Sequence, residues 1–271
     1  MSKNTSHKRL LSSEKKTILV TGANGQLGMT FRKHEKDYQD LNFVFMDAKA
    51  LDIKNQKAVD RVFEQVKPDY CINCAAYTNV EKAEKEPEKA FLVNAVAVEF
   101  LAMACKAQSC ILIHISTDYV FDGEKTTPYT TTDTPNPINV YGASKLQGEH
   151  NIKKFLSQYF IIRTSWLYSR EFGKNFYRTI LQKAQTEKEL HIVDNQAGCP
   201  TDAENLKGYI LDLIMNRSDN YGIHHFSDKE VMSWYDFAKL ILEENNIQNT
   251  ILIKNNSYKT KAKRPVYSVL G

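Results

Sequence analysis

Tyr141 and Lys145 stand four residues apart in Tyr141-Gly-Ala-Ser-Lys145. On a helix that spacing puts both side chains on one face. A phenol ordinarily titrates near pH ~10, and a neighbouring ammonium favours its ionised form and lowers that value. Such a pair is a general acid that can hand a proton to a developing alkoxide near neutral pH. A further hydroxyl comes from Ile115-Ser-Thr117-Asp118, where an apolar run ends. If that run is a strand of a parallel sheet, its carboxyl end is where ligands bind. Thr117 is then placed to polarise a substrate carbonyl, and Asp118 to accept from a substrate hydroxyl. The plainer role for Asp118 is that of a turn residue.

Upstream lies Gly22-Ala-Asn24-Gly25-Gln26-Leu27-Gly28, between a short apolar run and a helical stretch. Glycines there allow a tight turn and close backbone approach to a pyrophosphate, and the free N–H groups of the helix that follows favour the anion. The spacing is G-x-x-G-x-x-G, not the G-x-G-x-x-G of the dinucleotide fingerprint. Asp47 closes the next apolar run, about twenty residues on, where an acid accepts from the adenosine ribose and favours NADH. Lys49 is close enough to neutralise a 2′-phosphate, so NADPH stays open as well. Asp52 and Ile53 are placed beside the adenine, although Asp52 could equally cap the helix after it. Asn73-Cys-Ala75-Ala76-Tyr77 brings small residues to a strand end, where a flat cofactor can lie against the backbone. Ile115 joins the same trough, and Lys145 can also hold the nicotinamide ribose.

These residues need a scaffold that alternates strands and helices. Apolar runs at 17–21, 43–46, 70–74, 110–115 and 160–163 read as strands, and 26–36, 55–66, 87–108 and 139–156 as helices. The apolar positions Val59, Val62, Phe63 and Val66 have helical spacing, and Pro87 is tolerated in a first turn. Such alternation predicts an α/β, Rossmann-type doubly wound parallel sheet over 17–165. After Arg163 the rhythm loosens. Helices are expected at 174–185, 202–215 and 234–244, and short strands at 190–193, 222–226 and 251–253. Residues 166–271 then form mainly a smaller C-terminal substrate-binding lobe, with elements returning to the first domain. Residues 1–16 read as a flexible, polar extension without a signal-peptide core.

Composition narrows the function classes. The 271 residues carry a formal charge of only +4, and much of it lies near the ends, at Lys3, Lys8, Arg9, Lys15 and Lys16 and at Lys254, Lys259, Lys261, Lys263 and Arg264. Solvated tails explain that better than nucleic-acid binding. No uninterrupted apolar run approaches the roughly 20 residues of a membrane span, so a cytoplasmic protein without membrane or nucleic-acid partners is expected. The five cysteines have no framework spacing. Cys71 and Cys74 form a C-x-x-C inside a strand-like run without a second ligand pair, which makes them structural. The seven histidines show no metal-ligand spacing.

Taken together, the motifs resemble the dTDP-4-dehydrorhamnose reductases, extended short-chain dehydrogenase/reductases. The match runs in order through the glycine turn, Asn73-Cys-Ala-Ala-Tyr-Thr78 with Glu81-Lys-Ala-Glu84, Ser116-Thr-Asp-Tyr-Val-Phe-Asp-Gly123 and Tyr141-Gly-Ala-Ser-Lys-Leu-Gln-Gly-Glu149. It continues through Arg163-Thr-Ser-Trp166, Asp194-Asn-Gln-Ala-Gly-Cys-Pro-Thr201 and Arg264-Pro-Val-Tyr-Ser268. The resemblance implies reduction of the C4 keto group of dTDP-4-dehydro-L-rhamnose by NADH or NADPH, with Tyr141 as proton donor, Lys145 as its partner and Thr117 as the third member. It implies that Thr117, Asp118 and Trp166 touch the deoxysugar; the plainer role for Trp166 is a core aromatic. It also places Asn94 as a support of the active site and its cofactor, with helix packing or capping as the alternative.

Two details separate this chain from relatives. Nucleotide-sugar 4,6-dehydratases carry Thr-Asp-Glu, whereas here Asp118 is followed by Tyr119, so the elimination acid is missing. Metal-dependent dimeric members place a glutamate soon after the glycine turn, where this chain has Met29-Thr30, so no metal is expected. Family members continue past Arg264-Pro-Val-Tyr-Ser268 into a final helix, and this sequence stops at Gly271. A homodimer is compatible with the resemblance. The alternatives are a reductase of another nucleotide-linked deoxysugar, or a non-catalytic NADP-binding regulator like the regulatory subunit of methionine adenosyltransferase.

Overall fold

The computed structural model describes residues 15–228, 230–257 and 260–271. The expected extension therefore lies outside the described residues as far as residue 14, as does Lys259. Lys16 belongs to the first strand, where its ammonium donates to Asp69 at 2.6 Å.

The first half runs β1 (Lys16–Thr21), α1 (Gln26–Lys33), β2 (Leu41–Met46), α2 (Gln56–Val66), β3 (Tyr70–Asn73), α3 (Val80–Ala83), α4 (Pro87–Phe91), α5 (Ala97–Gln108), β4 (Ile111–Thr117), α6 (Val140–Phe155) and β5 (Tyr159–Thr164). The second half runs β6 (Leu167–Tyr168), α7 (Phe176–Ala184), β7 (Glu189–Ile192), β8 (Ala197–Gly198), β9 (Thr201–Asp202), α8 (Ala203–Met215), β10 (Gly222–His225), β11 (Met232–Ser233), α9 (Trp234–Glu244) and β12 (Ile251–Lys254).

Six strands form one parallel sheet in the order β10-β5-β4-β3-β1-β2. Strand side chains alternate between faces, and the core divides accordingly. Leu19, Cys71, Leu112 and Ile161 face α2, α5 and α6, whereas Ile18, Val20, Ile72, Ile113 and Ile162 face α1 and α8. Both faces are thus buried, which explains why the strands read as unbroken apolar runs. The strand order reverses between β1 and β3, and a ligand crevice is expected at that switch point. Residues of the second half return to the sheet through α8 and β10. A separate cluster around Tyr177, Ile180, Leu190, Phe237 and Ile241 joins α7, α9, β7 and β12 as a small lobe.

The expected continuous helix at 87–108 is interrupted. Between α4 and α5, Leu92–Val96 forms a π turn, a local widening that is frequent at functional sites. Asn94 sits in it, 1% exposed. Its side chain accepts from the Tyr77 N–H at 2.8 Å and donates to the Tyr77 carbonyl at 3.0 Å and to Ser144 Oγ at 2.9 Å. The π turn faces α6, where Gly148 meets the Asn94 carbonyl. The stretch Pro87–Gln108 is also long and apolar enough to cross a membrane, although the sequence offered no unbroken apolar run. It packs into the fold, where Ala97, Val98, Leu101 and Cys105 belong to the core.

Candidate active site

The turn after β1 is built for close approach. Gly22 has φ +64°, and a Cβ there would lie 2.6 Å from the Ala75 nitrogen. No side chain caps the N-terminus of α1, so the first-turn N–H groups face outward without intrahelical partners. Two cavities flank this turn. One, of about 560 Å³, is lined by Gly22, Asp47, Asp52, Ile53 and Ala75. The other, of about 540 Å³, is lined by Gln26, Leu27, Ile115, Thr117, Tyr141 and Lys145. Asn24, Gly25, Cys74 and Ala76 line both, so the two join across the turn. A dinucleotide fits these two joined cavities.

Of the expected cofactor residues, Gly28, Tyr77 and Asn94 stand back from both cavities. Gly28 is buried in α1 behind the turn. Gln26 spends its side chain on the lobe, donating to the Leu167 carbonyl at 2.9 Å and accepting from Asn175 at 3.1 Å. Tyr77 and Asn94 line neither cavity; their mutual hydrogen bonds brace the loop after β3 against α6 from behind. Asp52 caps no helix, because Asn55 holds that place on α2. Asp47 accepts from Asn24 Nδ2 at 2.7 Å and from the backbone N–H groups of Lys49 and Ala50, both at 2.9 Å. Those backbone bonds first, and the Asn24 bond after them, hold its carboxyl below the usual range.

At the chemical end, α6 presents Tyr141 to the cavity, with its ring edge-on to Tyr119 at 6.0 Å. Asn139 caps α6, accepting from the Gly142 N–H at 2.7 Å. Lys145 is 2% exposed. It donates to the Ile115 carbonyl at 2.6 Å, and its Nζ lies 3.1 Å from His114 Nε2. The expected lowering of the phenol by the lysine is not found. Burial pushes Tyr141 up to about 12, the neighbouring Thr117 hydroxyl offsets part of that, and the Asp118 carboxylate adds to the rise. Lys145 is itself drawn down to about 8 by burial. Tyr141 therefore carries its proton near neutral pH.

Thr117 Oγ1 donates to Asp118 Oδ1 at 3.0 Å and accepts from the Tyr119 N–H at 3.2 Å. Asp118 is 2% exposed, and its Oδ2 has no hydrogen-bond partner among the described residues. Burial is the chief cause that raises it to about 7. A buried carboxylate oxygen without a donor is costly, and here it borders the cavity. Beneath Ser116 lies a fully buried ion pair: Arg163 donates to Glu149 at 3.0 and 2.7 Å, and Ser116 Oγ to the same carboxylate at 2.6 Å. It fixes β4, β5 and α6 under Thr117.

Trp166 borders the same cavity in an unexpected setting. Its φ is +47°, in the left-handed region, and its indole stacks on Trp234 at 3.6 Å. Gly198 admits it, since a Cβ there would come within 2.6 Å of the ring. Trp234 and Lys174 were missed in the sequence. Trp234 hides in a capping segment behind Ser233, and Lys174 is a lone lysine in a loop. Cys74 also borders both cavities; its thiol is driven upward by burial and stays protonated. All five cysteines are free.

A family model described as the RmlD substrate binding domain matches residues 16–271. The chain belongs to the RmlD substrate binding domain family. A spore coat polysaccharide biosynthesis protein of Bacillus subtilis is 38% identical over 255 residues, covering 94% of this chain and 88% of its own length. A dTDP-4-dehydrorhamnose reductase of Aggregatibacter actinomycetemcomitans is 37% identical over 264 residues, covering 93% and 90%. The crystal structure of a Bacillus anthracis dTDP-4-dehydrorhamnose reductase in complex with NADP superposes with a TM-score of 0.90 at 38% identity, covering 95% of this chain and 90% of that one. The RmlD family match thus spans both the sheet and the lobe.

Proposed function

We propose that this protein is a dTDP-4-dehydrorhamnose reductase, reducing the C4 keto group of dTDP-4-dehydro-L-rhamnose with NADH or NADPH. The observation that carries it is the convergence of Thr117, Asp118 and Tyr141 in one cavity that continues across the Gly22–Gly25 turn. The turn and the first-turn N–H groups of α1 hold the pyrophosphate, Asp47 the adenosine ribose, and Lys145 the nicotinamide ribose. When bound, the nicotinamide supplies the hydride. The Thr117 O–H turns from Asp118 Oδ1 to the substrate's carbonyl oxygen, which the Tyr141 hydroxyl also holds, and Tyr141 gives its phenolic proton to that oxygen as negative charge develops. Asp118 accepts from a sugar hydroxyl, which gives Oδ2 its missing partner. Trp166, backed by Trp234, forms the apolar wall against the deoxysugar.

The nucleotide-binding unit comprises residues 17–165 together with α8 and β10, and the remainder of 166–271 holds the substrate nucleotide. Such an enzyme works in the cytoplasm with its nucleotide substrates. Leu92 and Val96, exposed on one helical face, support a homodimer through that face, which sedimentation tests. The direct assay supplies dTDP-4-dehydro-L-rhamnose with NADH or NADPH and identifies the product by NMR. Formation of dTDP-L-rhamnose supports the assignment. Cofactor binding without turnover on this or any other keto-deoxysugar nucleotide would instead support a regulatory protein.

A further inference from the structure

Behind Lys145 a chain of buried hydrogen bonds leads back to the glycine turn. Thr21 Oγ1 donates to Asn73 Oδ1 at 2.6 Å, and the Ala75 N–H donates to the same oxygen at 3.2 Å. The Ala75 N–H can only donate, so it fixes the amide orientation, and the Thr21 hydroxyl, which can donate or accept, follows it. The Asn73 NH₂ therefore faces His114 Nδ1, at 3.0 Å. An amide NH₂ only donates, so Nδ1 must accept, and a neutral ring then carries its proton on Nε2. His114 is fully buried, and burial alone, the largest cause, keeps it neutral. Its Nε2–H points at Lys145 Nζ, 3.1 Å away.

An ammonium has only donors and would meet that N–H head-on. A neutral amine fits: it accepts from Nε2–H, donates to the Ile115 carbonyl at 2.6 Å, and keeps one N–H for the cavity. We propose that His114, in a tautomer fixed by Asn73, holds Lys145 as a neutral amine in the resting site. The groups facing Lys145 agree. Glu149, one turn along α6, is committed to Arg163 and Ser116. Cys74 is a neutral thiol. Tyr141 holds its proton, and Asp118 lies across the cavity beside Thr117. Among the described residues no carboxylate pairs with Lys145. Burial already draws the lysine down to about 8, and the opposing N–H takes it lower.

The consequence is a link between Lys145 and the cofactor turn. Charging Lys145 moves the His114 proton to Nδ1 and forces the Asn73 amide to turn over. That strips the Ala75 N–H of its acceptor directly beneath Gly22. His114 is thus a positioning residue that acts through Lys145; this deepens the reductase assignment, on which the role of Lys145 rests.

The test uses full-length protein labelled with [¹⁵N]histidine, with the His114 signals assigned by their loss in His114→Gln. Long-range ¹H–¹⁵N correlation near neutral pH should find the proton on Nε2 alone. A proton on Nδ1, or on both nitrogens, overturns the proposal. In [¹³C]lysine-labelled protein the Lys145 ε-carbon should titrate well below the ordinary lysine value, and higher by about one unit or more in His114→Gln, whose amide oxygen can accept from an ammonium. Titration near the ordinary lysine value, or no change in the variant, also overturns it. Both readouts are independent of turnover, so they stand or fall separately from the substrate assignment.

Discussion

Asp118→Asn separates the energetic cost of the site from its use. In the folded protein the carboxyl is raised from an ordinary 3.8 to about 7, chiefly by burial. The folded state therefore holds this proton more tightly than the unfolded chain. Below about pH 3 both states are protonated and nothing is lost. As pH rises from there through 7, stability falls, because a bare carboxylate must be kept in a dry site. The full loss is on the order of 4 kcal/mol above pH 7, since raising a carboxyl by one pH unit corresponds to about 1.4 kcal/mol. About 3 kcal/mol of it accrues between about pH 5 and pH 8. Asparagine has the same shape and does not ionise. Its amide in place of the unpartnered Oδ2 brings a desolvation cost of about 1–3 kcal/mol that does not vary with pH. Urea unfolding of both proteins across this range should find the variant gaining on the parent by roughly 3 kcal/mol as pH rises. The same variant should bind the sugar nucleotide more weakly at pH 8, having lost its charged acceptor. A stability difference that stays flat with pH would refute the buried-carboxylate reasoning.

Trp234→Leu should raise KM for the sugar nucleotide about tenfold with kcat little changed, because an aromatic stack contributes about 0.5–1.5 kcal/mol and Trp234 touches the wall rather than the reacting atoms; Trp234→Phe should recover most of it, and a loss confined to kcat counts against the wall. Glu149→Ala leaves Arg163 buried and unpaired, so urea unfolding should register a loss of about 3–5 kcal/mol, with much of it recovered in Glu149→Ala/Arg163→Met. A loss below about 1 kcal/mol would contradict the buried pair. Asp47→Ala should weaken NADH more than NADPH in fluorescence titrations; equal weakening means that Asp47 serves its own turn rather than the ribose.

Much of this site could be read in the sequence because its parts are local. The glycine turn, Thr117-Asp118 and the Tyr141/Lys145 spacing each lie within one strand end or one helical turn, and backbone geometry alone brings them together. The same holds for the sheet, whose strands are buried on both faces and so stand out as apolar runs. What could not be read depends on distant pairings. The Trp166–Trp234 stack joins residues from two segments of the second half, and no periodicity announces it. The π turn at Leu92–Val96 follows from packing against α6, not from the propensities of its residues, which read as an ordinary helix. Spacing alone suggests how Tyr141 relates to Lys145, but it cannot reveal that His114 and the Ile115 carbonyl engage the lysine's amino end and that burial raises the phenol.

Tyr141→Phe tests the assignment most directly. It removes one hydroxyl and leaves the ring against Tyr119. With dTDP-4-dehydro-L-rhamnose and NADPH or NADH, whichever the parent uses better, kcat should fall about 10²- to 10⁴-fold, the range for loss of a general acid, while the Kd for the cofactor stays within about twofold. Near-parental turnover in this variant would contradict the role of Tyr141 as proton donor.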